Sequence, residues 1–300
     1  MKELSRGQST YALGHSDQEL DRLSLQARLF DPFTRRVLEE AGIREGMRVL
    51  DVGSGSGDVA FLAARMVGPG GRVIGTDRAV EAVTRASGRA KAVGLENVEF
   101  LQGDPTEMTF DQPFDAVIGR LVLMYYPDPA SALRKLSVNL REGGLLVFQE
   151  FDITHCRSIP RVPSYERQVE WIRQALLATD ARTQLGVELY SIFMAAGLPG
   201  PSMRMDAAIN GDPEFLAYEL LAEVTRSLLP VIEKFKIATA EEVDISTLAR
   251  RVRDEVVAVK GVAISPALIG AWSATLPAQK MIGEAHTSGT PAFGRNPRLP

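Results

Sequence analysis

A short apolar run that breaks into alternating glycines and then into a helix leaves a chain few ways to fold. Residues Val49–Gly57 read VLDVGSGSG: strand-forming residues, one carboxylate at Asp51, then Gly53, Gly55 and Gly57. A helix-compatible run, Asp58–Val67, comes at once after it. A buried strand, a tight glycine turn and a helix N-terminus make a cradle suited to a nucleotide-like ligand. Glycine there permits positive φ and lets a ligand touch the backbone.

The residues beyond this turn repeat the alternation of strand and helix. Strands are predicted at Arg48–Val52, Arg72–Thr76, Val98–Leu101, Ala116–Gly119 and Leu145–Phe151, and helices at Asp58–Val67, Val80–Val93 and Pro129–Leu140. The strands are continuous apolar runs, as expected when helices cover both faces of a parallel sheet. Upstream, Leu4–Ile43 has helical spacing, with Ser16 and Glu19 as a capping box and Pro32 dividing two helices. Downstream the alternation stops. Arg157–Pro163 is a proline-punctuated loop, and helices are predicted at Tyr165–Ala178, Gln184–Ala196, Pro213–Phe235 and Ile245–Lys260. Strands are predicted at Met203–Ile209 and Pro266–Trp272. The segment from about Pro277 is rich in Gly, Pro, Ser and Thr, and disorder is expected there.

Composition narrows the function classes. The net charge of −4, with acids and bases interspersed, makes no electrostatic case for nucleic acid or an anionic membrane. Cys156 is the single cysteine, so neither an intrachain disulfide nor a cysteine-rich metal site is available. No apolar signal core or membrane-length segment is apparent, and the expectation is a cytoplasmic protein with no membrane partner. His15, His155 and His286 lie far apart without acidic or cysteine neighbours at ligand spacing, so no metal site is expected.

Two ligand classes compete for the cradle. Gly55, Gly57 and Ala60 fit a G-x-G-x-x-A dinucleotide fingerprint, with Asp77 ending the second strand, so an NAD(P)-dependent oxidoreductase is one reading. Asp51 argues otherwise, because an anion there opposes a pyrophosphate and suits an ammonium or sulfonium. Asp104, in LQGDPTEM, sits where it could accept from an adenine amino group. The fourth strand ends in GRLVLMYYPDP, at the switch point beside the first.

VLDVGSGSG, VIGTD, LQGD, FDAVIGRLVLMYYPDP and LREGGLLVFQE, in that order and spacing, resemble the motifs of class I S-adenosylmethionine-dependent methyltransferases, their small-molecule branch above all. The resemblance covers about Arg36–Phe151. It implies a Rossmann-like, doubly wound α/β fold with a mostly parallel seven-stranded sheet. Residues 1–35 would be an N-terminal helical cap and 36–276 the methyltransferase domain. An inserted helical lid would span about 213–260, ahead of a 277–300 tail. It also implies S-adenosylmethionine as cofactor. Asp51, Gly53, Ser54, Gly55 and Gly57 would face its methionine part. Asp77 would take both ribose hydroxyls, and Gly103 and Asp104 the adenine amino end. Gly119 and Arg120 would lie near the methionine part, with Tyr11 of the cap over the cofactor. Two positions depart from the family pattern: Pro105 cannot offer a backbone N–H to adenine, and Arg78 stands where an apolar residue is common.

For catalysis the candidates are His155, after the fifth strand, and His15 in the cap. Arg120 is read either as a carboxylate clamp or as a structural ion pair. The switch-point segment lacks the Asn/Asp-Pro-Pro-aromatic run of nucleobase amino methyltransferases, which also disfavours nucleic acid. The expected acceptor is a small, partly apolar metabolite, methylated on O, N or C. The same fold can also bind the cofactor without transferring methyl. Apolar faces on the C-terminal helices suit either a pocket cover or a homodimer.

Overall fold

The structure is a computed structural model that describes residues 17–275. It starts with one helix, α1 (Asp17–Ala41), that contains Pro32. The expected division into two helices does not occur. Pro32 and Arg28, the residue whose carbonyl it cannot bond, are both exposed. Phe30, Val37 and Leu38 are buried on both sides of the proline. Packing of that face outweighs the ~3 kcal/mol that an internal proline costs.

The alternating region then builds β1 (Arg48–Val52), α2 (Asp58–Val67), β2 (Arg72–Asp77), α3 (Val80–Ala92), β3 (Val98–Gln102), β4 (Phe114–Arg120), α4 (Pro129–Ser137) and β5 (Leu140–Asp152). After it come β6 (Arg157–Ile159), α5 (Pro163–Ala178), α6 (Leu185–Ala195), β7 (Ser202–Asp206) and β8 (Ile209–Asn210). The described residues end with α7 (Ala217–Lys234), α8 (Ala240–Val243), α9 (Leu248–Ala258), β9 (Val262–Ile264) and β10 (Ala267–Ala274).

Seven strands form one sheet in the order β3-β2-β1-β4-β5-β10-β7. The β3 to β5 portion is parallel. β10 runs antiparallel to both its neighbours, β5 and β7. This is the mostly parallel, doubly wound sheet that the motif order implies. Its strands are apolar on both faces for a direct reason. Val49, Ile118 and Val147 point into a core with α1 and α2, whereas Leu50, Val117, Leu146 and Phe148 point into another with α6.

The Met203–Ile209 segment departs from the single strand expected of it. β7 stops at Asp206, and β8 pairs with β9 in a separate three-stranded sheet, β6-β9-β8. The break has a local cause. Arg204 and Asp206 pair with each other and reach back to Glu40 and Arg36 of α1. Beyond them Ala208 exchanges bonds with Ser265, which turns the chain onto the small sheet. Part of the expected proline loop is likewise β6. A further core, with Tyr165, Trp171, Tyr218, Leu221 and Val252, joins α5, α7, α8 and α9. The cap residues Tyr11 and His15, the capping box at Ser16 and the segment after Pro277 lie outside the described residues.

Candidate functional site

The parallel strands bring the carboxyl ends of β1, β2, β3, β4 and β5 to one edge of the sheet, and a cavity of about 460 Å³ opens there. That is the size of sites that take a cofactor-sized molecule. One part of its wall is the glycine turn with the ends of β2 and β3: Gly53, Ser54, Gly55, Asp77, Gly103 and Pro105. Arg78 and Arg120 also line it. The rest of the wall comes from α1, the start of α2, α3, α5, α7 and the segments after β4 and β5, and every side chain that α5 and α7 bring to it is apolar.

The glycines play different parts. Gly53 and Gly55 both have positive φ, 65° and 53°. A Cβ on Gly53 would fall 2.5 Å from Val122 Cγ2, whereas one on Gly55 would meet nothing within 4 Å. Gly53 therefore serves contact between the turn and the loop after β4, and Gly55 faces open space. Gly57 and Gly119 do not line the cavity. A Cβ on Gly57 would strike Phe61 and Phe100, and one on Gly119 would strike Phe148 and Val122. Their expected place against a ligand is corrected to close packing. Gly53→Ala should therefore lower the melting temperature well beyond Gly55→Ala. The latter bears only the αL penalty of ~1–2 kcal/mol. Thermal denaturation of the two variants checks this, and equal losses would contradict it.

Asp51 sits behind the turn, 1% exposed and outside the cavity wall where direct ligand contact was expected of it, with Oδ2 lacking a partner. Burial pushes its pKa up to about 8, with Arg120 pulling it down, Asp77 pushing it up and the Ala60 N–H at the start of α2 pulling it down. A buried carboxyl with an unpartnered oxygen is a poor neighbour for a pyrophosphate. Asp77 takes N–H bonds from Gly55 at 2.9 Å and Ala79 at 2.9 Å, which fixes its carboxylate at the mouth of the turn.

At the β3 end, Asp104 accepts from Thr106, from Tyr126 Oη at 3.0 Å and from Arg78. Partial burial works to raise its pKa, but the Arg78 and Thr106 bonds outweigh that and hold it below the usual range. Arg78 stacks its guanidinium 5.0 Å from the centre of the Tyr126 ring. Asp104 itself stands outside the cavity wall, with Arg78, Pro105 and Tyr126 in front of it.

Arg120, at the end of β4, gives Nη1 to Asp31 at 2.9 Å and to Thr34 at 2.9 Å, both on α1. Of the two readings open for it, the ion pair is the one present. Burial pushes the Asp31 pKa up, with Arg120 opposing.

His155 is not in the cavity wall, which corrects its candidacy as a base. Its Nδ1 lies 2.9 Å from Asp152 Oδ2, and the ring is 37% exposed. Asp152 caps the single turn Ile153–His155 through Thr154 N, so that turn carries His155 outward. Ile153 and Cys156 line the cavity instead. Burial, Asp152 and Glu166 all push the Cys156 thiol up, away from reactivity. No metal-binding cluster occurs among the described residues. None of their helices is long and apolar enough to cross a membrane.

Glu150 escaped the sequence reading. It is fully buried in β5, and its Oε1 accepts from Val122 N at 2.9 Å and Leu123 N at 2.7 Å. With Gln149, whose carbonyl takes Leu121 N, it holds Leu121 at φ 57° and so shapes the loop over the glycine turn. The signal was present: a lone acid inside the apolar strand LLVFQEF.

The family described as "Methyltransferase domain" matches residues 43–196. Demethylmenaquinone methyltransferase of Staphylococcus aureus is 35% identical over 117 residues, 39% of this chain. The match spans about half, 48%, of that relative's length. Two solved structures share the fold over four-fifths of this chain. YcgJ from Bacillus subtilis has a TM-score of 0.50 at 20% identity and covers 80% of this chain and 96% of its own. A protein from Bacillus halodurans has a TM-score of 0.52 at 18% identity, covering 81% and 98%.

Proposed function

As a member of the class I S-adenosylmethionine-dependent methyltransferase family, this chain, we propose, moves a methyl group from that cofactor to a small-molecule acceptor. The observation that carries the reading is the Asp51 carboxyl. It is buried, half-partnered and set behind a glycine turn whose Gly55 faces open space. The residues present fit S-adenosylmethionine, since its cationic methionine part would answer the orphaned Asp51 oxygen behind the turn.

In this reading Asp51 and the Gly53–Gly55 backbone hold the methionine part, and Asp77 takes the ribose hydroxyls. Arg78, Gly103 and Pro105, which line the cavity, would meet the adenine end, with Asp104 behind them holding Arg78. When bound, the cofactor supplies a methyl group already activated by a sulfonium. The protein's task is then to align the acceptor and keep water away. The apolar wall supports that task, with Phe30, Phe151, Ile172 and Leu221 turned to the same cavity as the glycine turn.

Calorimetry with S-adenosylmethionine and with NADPH tests the reading. Tight NADPH binding without a response to S-adenosylmethionine would sink it. Incorporation of labelled methyl into a metabolite extract distinguishes an enzyme from a binding scaffold. Asp77→Ala should weaken the cofactor by more than about tenfold, through loss of charge-assisted hydrogen bonds, with the fold retained. Unchanged affinity would remove Asp77 from the site.

A further inference from the structure

Resting on the methyltransferase reading, we infer that the acceptor carries an elongated, uncharged hydrocarbon body, held between α5 and α7.

Two helical stripes carry the argument. Val169, Ile172 and Leu176 recur on α5 at the spacing of one face, and Leu220, Val224 and Leu228 do so on α7. All six line the same cavity as the glycine turn. At a rise of 1.5 Å per residue each stripe is about 10–12 Å long, so the two bound a slot and not a dimple. Val169, Leu176 and Val224 are only partly buried although they belong to the apolar core around them. They keep apolar surface turned to the space between the helices.

The charges of both helices are spent elsewhere. Arg173 pairs with Glu170 at 2.6 Å and Arg226 with Glu223 at 3.1 Å, and none of these four lines the cavity. Apart from Arg22, which donates to Gln26 on α1, the charged side chains of the wall belong to the start of α2, the end of β2 with Arg78 after it, α3 and the end of β4. Neither α5 nor α7 brings a polar side chain to the cavity, so a charged body between them would lose its hydration with no partner from either helix, at a cost of several kcal/mol, whereas a hydrocarbon gains about 25 cal/mol for each Å² it buries. The acceptor therefore lies with its reacting group toward Arg120 and Tyr125 and its apolar body between the helices.

The neutral fluorophore N-phenyl-1-naphthylamine probes the slot, titrated into the full chain with and without S-adenosylhomocysteine. Saturable binding at one site is expected. Val224→Glu should weaken it at least tenfold by placing a charge on the stripe. Val224→Phe should do so by filling the slot with a residue that leaves the core apolar. Affinity for S-adenosylhomocysteine should stay within threefold in both variants, which reports that they fold. No saturable binding to the native chain, or equal binding in Val224→Phe, would overturn the inference. Its failure is distinct from failure of the methyltransferase reading, which shows as absent S-adenosylhomocysteine binding whatever the fluorophore does.

Discussion

Asp51→Asn should cost S-adenosylmethionine about thirtyfold in affinity at pH 8, and much less at pH 6. The figure is the ~2 kcal/mol of a hydrogen bond between charged partners. The pH dependence stems from burial, which pushes the Asp51 pKa up to about 8 from 3.8. Below pH 8 the ligand-free protein holds a proton there. A cationic ligand favours the ionised carboxylate, so binding expels that proton. Native affinity should then rise between pH 6 and 8, by at most tenfold per pH unit, and Asp51→Asn should flatten the rise. Stability carries the opposite sign. The folded chain binds a proton that the unfolded chain releases above about pH 4, so stability is lost as pH climbs from 4 toward 8. The ligand-free Asn variant should therefore gain on the native chain as pH rises. Calorimetric titration and thermal denaturation at a series of pH values check both. A pH-independent affinity that Asp51→Asn leaves unchanged would take Asp51 out of the cation site.

Glu150→Ala should be the most damaging single change to the fold. It strips the acceptor from two buried N–H groups, those of Val122 and Leu123. Each unsatisfied donor costs ~1–3 kcal/mol, and the emptied space adds to the loss. A fall of about 4 kcal/mol is expected, read by denaturant unfolding. Glu150→Gln keeps one carbonyl acceptor and removes a carboxyl whose pKa burial has pushed up to about 8. It should lose far less, and above pH 8, where the native chain must ionise Glu150 without a cation beside it, it should match or exceed the native stability. A Gln variant as damaged as the Ala variant would show that charge, not the acceptor, holds the loop.

Glu150 also shows where sequence reading stopped. Its strand was legible because an apolar run between turn residues is a local pattern. Its role was not, because the groups it holds lie 27 and 28 positions away. Arg120 makes the same point. Its place at the end of β4 was readable, but its partner Asp31 is 89 positions upstream. Pro32 misled because a local rule met packing on both sides of it. Met203–Ile209 misled because the alternation continues through a point where Ser265 turns the chain to another sheet. His155 misled because the turn beyond β5 could be placed but not the direction of its ring.

The sequence by itself determined the glycine turn, the alternation that makes a parallel sheet, and the acids at the ends of its first three strands. Each of these is written in contiguous residues, so periodicity and turn chemistry suffice to read it. Only the tertiary structure decided what the acids face and what encloses the acceptor. Asp51 became a half-partnered buried group through the helix and strands packed around it. The apolar slot exists because α5 and α7, some fifty positions apart in the chain, turn their stripes toward one cavity. A stripe tells which face of a helix is apolar; only the packing of the whole chain says whether that face meets a core or a ligand.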